Sequence, residues 1–372
     1  MAGSFPLAGV RVIAVEQAVA GPLCTRHLAD LGARVIKVER PGGGDFARSY
    51  DTVVAGQSAY FVWLNRSKES VVLDLATEAG RDALAALLDG ADVLVQNLGP
   101  GVLDRLGFGE GALAGRWPSL VRCGISGYGT DGPYRDRKGF DLLLQGESGL
   151  IATTGTREAP AKVGISIADI SAAMYALSSI LAALRRRDAT GEGASIEISM
   201  LDCLAEWMSV PLAWAASDAG APPRQGVRHA TIVPYGPFAT ADGQVNLAVQ
   251  NAAQWQRLCR SVLERPDLVD DPAFASNEQR VRNREQLEPI IEGILGALPR
   301  PEVEARLEAA DVPFGALNEV ADVLTHPQLL ARDRWFEVGS PGGPVRALRP
   351  PFGIAGMPLR ADPVPALGEH SP

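Results

Sequence analysis

Val10-Arg11-Val12-Ile13-Ala14-Val15, then Glu16-Gln17-Ala18-Val19-Ala20-Gly21-Pro22, then Leu23 to Leu31, then Arg34-Val35-Ile36-Lys37-Val38: this opening stretch decides the fold. A short β-branched run, an amphipathic helical stretch and a second β-branched run make one β-α-β unit. The pattern continues outward. A helix is predicted at Arg81–Leu88, with strands at Asp92–Val95 and Leu120–Gly124. Turns at Pro41-Gly42-Gly43-Gly44 and Gly99-Pro100-Gly101 punctuate the series. Strand and helix in alternation predict an α/β chain with a doubly wound parallel sheet. The first βα turn lacks the GxGxxG fingerprint, which argues against a nicotinamide dinucleotide.

Farther along, Ile170, Met174, Leu177, Ile180 and Leu184 recur at helical spacing, so one long helix is expected from about Ala168 to Arg186, with Arg185-Arg186-Arg187 at its negative end. A strand follows at Ser195–Ser199. Around Ser217–Arg228 the composition turns to Ala, Gly and Pro, the expected crossing into a second domain. That domain reads as a strand pair, Tyr235–Thr240 and Val245–Val249, followed by helices near Ala252–Leu263, Glu285–Leu298 and Pro301–Ala309.

The 372 residues carry a net charge of −9, so nucleic acid and anionic membrane are poor partners for the molecule as a whole. Any phosphate must be met by local cations. Cys24, Cys123, Cys203 and Cys259 lie far apart with no CxxC spacing, the pattern of buried free thiols in a reducing compartment rather than disulfides or a metal site. The start leaves no room for a signal-type core, and no stretch is expected to span a membrane. A cytoplasmic location is the expectation.

Several short stretches carry chemistry: Ala20-Gly21-Pro22; Gly32 to Arg40 with the Gly42–Asp45 turn; Asn65-Arg66-Ser67-Lys68 before Leu73-Asp74-Leu75; Gln96-Asn97-Leu98-Gly99-Pro100-Gly101 before Leu103-Asp104-Arg105-Leu106-Gly107; Gly139-Phe140-Asp141 with Gln145; and Ile167-Ala168-Asp169-Ile170. In this order and over nearly the whole chain, they resemble the family III CoA-transferases, the group that includes formyl-CoA transferase, carnitine CoA-transferase and α-methylacyl-CoA racemase. The resemblance implies a Rossmann-like large domain over 1–215, a smaller α+β domain over 216–325, and a C-terminal segment, 326–372, returning to the large domain. It also implies an interlocked homodimer. Family members commonly continue with a further helix after a Leu-Gly-Glu-His-type motif, present here as Leu367 to His370.

Asp169 has two readings from the residues alone. An Asp at the start of an apolar helix caps it or complements its dipole; the same positive end also favours an ionised nucleophile. The match to the family's catalytic aspartate implies the second role. Asp141 is the competing carboxylate, with a supporting role implied. Coenzyme A, entering as a substrate rather than a resident cofactor, needs cations for its phosphates. The resemblance points to Arg40, Lys68, Arg105 and Lys138, with Asn97 and Leu98 along the pantetheine channel and Met200 near the thiol.

Racemases of the group carry His where this chain has Phe140, a substrate-side position, so acid-base inversion of an α-carbon is not expected. The glycine run of formyl-CoA transferase is replaced by a stretch containing Arg228-His229-Ala230-Thr231 and Pro234-Tyr235-Gly236-Pro237-Phe238, which puts oxalate and formate chemistry in doubt. That run is similar to members acting on C4 and C5 dicarboxylates such as mesaconate, itaconate, citramalate, malate or succinate. Arg228 and His229 either hold a distal carboxylate or are structural; the residues leave both open. The activity implied is CoA transfer from an acyl-CoA such as succinyl-CoA to a small dicarboxylic acid. The alternatives are an acyl-CoA racemase or isomerase on the same fold, or a non-catalytic acyl-CoA binder.

Overall fold

The structure is a computed structural model that describes residues 5–218 and 220–371. Its centre is a six-stranded parallel sheet: β1 (Arg11–Val15), β2 (Arg34–Glu39), β3 (Lys68–Val72), β4 (Val93–Gln96), β5 (Val121–Ser126) and β6 (Ala194–Ser199). The order is β3-β2-β1-β4-β5-β6, the doubly wound arrangement in which the direction of winding, not of the strands, reverses between β1 and β4.

Period two explains how one strand serves two cores. Val12 and Ala14 of β1 face the cluster that holds the Ala20–Asp30 and Ile167–Thr190 helices, while Ile13 and Val15 face the cluster holding the Glu78–Leu88 helix. Both faces are therefore covered, which is why these strands read as unbroken apolar runs. Thr77 caps Glu78–Leu88 by accepting from Gly80 N–H, and Gly191 ends Ile167–Thr190 in the left-handed region at φ 75°. Arg187, in that helix's last turn, pairs with Asp92 at 2.8 Å.

Lys68–Val72 is a strand that the polar run Lys68-Glu69-Ser70 does not announce; β3 is an edge strand whose lysine is satisfied internally. The expectation that no stretch is long enough to span a membrane needs correction. The Ile167–Thr190 helix is long and apolar enough, by length and composition, to cross a membrane. Its Ala168, Ala172, Ala173, Ala176 and Ile180 are fully buried in the core instead, the placement of a central helix in an α/β protein.

The chain divides into two compact units. The first comprises 1–150, 163–210 and 328–372, so the C-terminal segment, with its hairpin β10 (Trp335–Val338) and β11 (Val345–Leu348), belongs with the large sheet. The second comprises 151–162 and 211–327 and has its own core around Trp255, Leu287, Ile291, Val303 and Leu307. Its antiparallel sheet is β7 (Tyr235–Thr240), β8 (Gly243–Ala248) and β9 (Phe314–Gly315). All four cysteines are buried thiols.

Candidate active site

Ligands of doubly wound sheets settle beyond the carboxyl ends of the strands where the order reverses. Here that point lies between the loops after β1 and β4. Asn97 joins them: its Oδ1 accepts Gln17 N–H and its Nδ2 donates to Gln17 O, both at 2.8 Å. Ala18 takes a left-handed φ of 60° and donates its N–H to Asp45 Oδ1 at 3.0 Å. Beneath the turn, Lys37 Nζ lies 2.8 Å from Asp45 Oδ2 and 3.4 Å from Glu16 Oε1, and Lys68 Nζ lies 2.8 Å from Glu16 Oε1. Two buried cations thus face two buried carboxylates, the only economical way to keep such charges out of water.

A cavity of about 230 Å³ opens over this network. Gln17, Arg40, Gly44, Leu75, Leu98 and Val102 are among its walls. Exposed Arg40 is steadied by an Nε donation to Gly44 O at 3.0 Å. Val102 begins the one-turn helix Val102–Arg105, which ends on exposed Arg105. Val102 and Leu98 also line a second cavity of about 510 Å³ over β4, β5 and β6, with Gln96, Arg122 and Glu197 in its walls.

Asp169 sits in the first turn of Ile167–Thr190, half-buried. The capping role that sequence offered it belongs to Asp141, at the start of the Asp141–Glu147 helix: Asp141 Oδ1 accepts Ala168 N–H at 2.9 Å. Asp141 Oδ2 is fixed by Gln145 Nε2 at 2.8 Å, and Gln145 Oε1 accepts Val163 N–H at 2.8 Å, so the approach to Asp169 is tied at both ends. The Asp169 carboxylate instead faces the N–H of Ala20, first residue of the Ala20–Asp30 helix, whose N-cap residue Val19 has no side-chain acceptor. Burial and then the Asp141 charge raise Asp169 to about 7, against the Ala20 hydrogen bond. Desolvation and a like charge thus work against the positive helix end, which favours the ionised form.

The structure gathers Arg40, Leu98 and the loop of Asn97 around the smaller cavity, and places Arg105 at the end of the helix beside it. Lys68 is corrected. Its three protons go to Glu16 Oε1, Pro22 O at 2.9 Å and Asn65 Oδ1 at 3.0 Å, so none remains for a phosphate. Met200 is 5% exposed and packs in the main core. Asn97 spends its amide on Gln17 and shapes the channel by holding the loop. Lys138 is exposed in the segment before Phe140, two residues beyond Asp136, a wall residue of the larger cavity. Phe140 is 58% exposed and occupies the N-cap position before Asp141.

Arg228 and His229 lie in the second unit. Arg228 is held by Glu288 Oε2 at 2.7 Å and Glu292 Oε1 at 2.5 Å and lies over the Phe238 ring. Two carboxylates already neutralise its charge, so it braces its loop rather than waiting for a substrate anion. His229 stacks on Tyr235 with centroids 5.0 Å apart, and its Nδ1 accepts Thr231 N–H at 3.1 Å. Burial and the nearby Arg284 hold its pKa below the ordinary imidazole value.

Sequence reasoning missed Glu16, Lys37 and Asp45. A signal was available: a lysine in the middle of the apolar strand Arg34–Val38 demands a buried partner.

The model of CoA-transferase family III matches residues 7–371. An acetyl-CoA:oxalate CoA-transferase of Acetobacter aceti is 37% identical, covering 92% of this chain and 89% of that protein. A succinyl-CoA:mesaconate CoA-transferase of Haloarcula hispanica is 34% identical, covering 98% and 92%. The crystal structure of a CaiB/BaiF family protein from Brucella suis superposes with a TM-score of 0.86 at 34% identity, over 99% of this chain and 98% of that one. An oxalate enzyme therefore stands beside a mesaconate enzyme among the relatives, and the line drawn above between oxalate and longer dicarboxylates is not one they support. With the family model matching nearly every residue around a sheet of the same architecture, the chain belongs to CoA-transferase family III.

Proposed function

We propose that this enzyme moves CoA from an acyl-CoA donor, such as succinyl-CoA, to a small dicarboxylic acid through covalent intermediates on Asp169. The observation that carries the reading is that the Asp169 carboxylate is released from capping its own helix by Asp141 and is aimed instead at the Ala20 N–H, beside the loops of the switch point. The names of relatives acting on oxalate, glutarate and mesaconate support a dicarboxylate as acceptor.

The ionised Asp169 attacks the donor thioester carbonyl; a C–O bond forms, the C–S bond breaks, and CoA leaves as thiolate. The thiolate attacks the aspartyl carbonyl of this mixed anhydride and expels the donor acid as carboxylate, leaving an aspartyl-CoA thioester. The acceptor carboxylate then attacks that thioester, and CoA thiolate re-attacks the acceptor side of the second anhydride. Asp169 is regenerated as carboxylate, and charge balances at every step. The Ala20 N–H, at a positive helix end, is the donor for the oxyanions formed on the aspartyl carbon. Arg40 and Arg105 hold the coenzyme phosphates, with the adenosine end in the smaller cavity and the pantetheine arm passing Leu98. Lys138 adds a cation from its exposed loop. The working form is an interlocked homodimer in the cytoplasm.

The test is transfer of labelled CoA from succinyl-CoA to a panel of mono- and dicarboxylates by wild type and Asp169→Asn. Transfer to dicarboxylates that disappears in the variant supports the reading. Racemisation or isomerisation of an acyl-CoA with no transfer overturns it.

A further inference from the structure

The C-terminal residues make contacts that the reaction above does not use. His370 N–H donates to Ser70 O at 3.0 Å, and Ser70 N–H donates to His370 Nδ1 at 3.2 Å, so one residue closes the open edge of β3 at this point. Gly368 N–H donates to Ser70 Oγ at 3.0 Å, and that hydroxyl donates to Glu39 Oε1 at 2.6 Å. Glu39 Oε2 accepts Asp45 N–H at 2.9 Å, and Asp45 holds the Ala18 N–H. Arg48, bound to both oxygens of Glu39, also reaches Pro365 O. The Leu367 side chain presses on the same turn: a Cβ added to Gly44 would lie 2.7 Å from Leu367 Cδ1. Gly44 O in turn accepts Arg40 Nε. The tail is thus connected, by contact and by hydrogen bonds, to Arg40, Gly44 and Asp45 on the wall of the smaller cavity.

We propose that Pro365–His370 is a strap that positions the Arg40–Asp45 wall for the coenzyme, with Leu367 and His370 as positioning residues acting through Gly44 and through Ser70 and Glu39. The inference rests on the reading of the smaller cavity as the coenzyme site. A turn of Gly42, Gly43 and Gly44 has little rigidity of its own. Contact from outside sets the direction of Arg40, and fixing that direction before binding spares the ordering entropy that binding otherwise costs.

The experiment is calorimetric titration of CoA into wild type, Arg40→Ala, Leu367→Ala, His370→Ala and His370→Asn, with kcat measured at saturating acyl-CoA. His370→Ala and Leu367→Ala weaken CoA by about tenfold while kcat changes by less than about threefold. His370→Asn, whose side-chain oxygen can still accept Ser70 N–H, recovers most of the affinity. CoA binding as in wild type by both alanine variants, even with a lowered Tm, overturns the strap. Normal binding by Arg40→Ala overturns the coenzyme-site reading itself; weakened binding there with unchanged His370 and Leu367 variants removes the strap alone. Should the alanine variants not fold, hydrogen exchange on wild type decides: CoA must slow exchange at Ser70, Gly368 and His370, and unchanged rates there overturn the proposal.

Discussion

Asp141 accepts the Ala168 N–H at 2.9 Å, one residue before Asp169, so the carboxylate that caps the helix also contributes a like charge beside Asp169. Only the ionised form attacks a thioester, and burial with the Asp141 charge raises Asp169 to about 7. Transfer by the free enzyme should therefore rise with pH through an acid limb near 7. Asp141→Asn can still accept from Ala168 but removes the like charge, so its limb should move to lower pH. A limb that stays in place in the kcat/KM profile would separate Asp141 from the titration.

The same group makes stability fall with pH. Between its ordinary value of 3.8 and about 7, folded Asp169 keeps a proton that the unfolded chain releases, so stability drops across that window and stays reduced above it. Asp169→Asn removes the penalty. At pH 8 the variant should be more stable by on the order of 2 kcal/mol, allowing for partial solvent screening of a half-buried group, with no advantage below about pH 4. Thermal melts of both proteins across pH check the direction.

Lys68 separates a structural cation from a phosphate handle. Lys68→Met leaves part of the Glu16 charge without its partner and should cost about 3 to 5 kcal/mol of stability in urea denaturation. A stable variant that merely binds CoA less well would restore the handle first expected from sequence.

Arg228→Ala leaves Glu288 and Glu292 without their shared cation and loosens the loop before Pro237. The loss, about 2 kcal/mol in stability, should come with an equal fall in turnover for mono- and dicarboxylate acceptors. A loss confined to dicarboxylates, with unchanged melting, would return Arg228 to the distal carboxylate.

Much of the fold was legible because period and composition speak directly. The run Val10–Val15 and the spacing of Ile170, Met174, Leu177, Ile180 and Leu184 report elements buried on one or both sides. β3 was not legible, since Lys68 enters a strand by virtue of Glu16 and Pro22, partners brought from elsewhere in the chain, together with nearby Asn65. The site divides in the same way. Asp169 and Arg40 stood out by motif, whereas the hydrogen-bond partners of Lys68 and the burial of Met200 did not, because a motif position does not reveal which way a side chain points. The ion pairs of Arg228 were hidden for a related reason: its two glutamates lie 60 and more residues away, and nothing local announces them.

The central claim is that transfer passes through Asp169, and mapping the covalent adduct tests it most directly. Wild-type enzyme is incubated with acyl-CoA, quenched with hydroxylamine and digested, and the peptides are weighed. The modification should appear on the peptide bearing Asp169, and Asp169→Asn should lose transfer by several powers of ten, as on removal of a covalent nucleophile, while still binding CoA. An adduct on Asp141, or near-normal transfer by Asp169→Asn, would contradict the account.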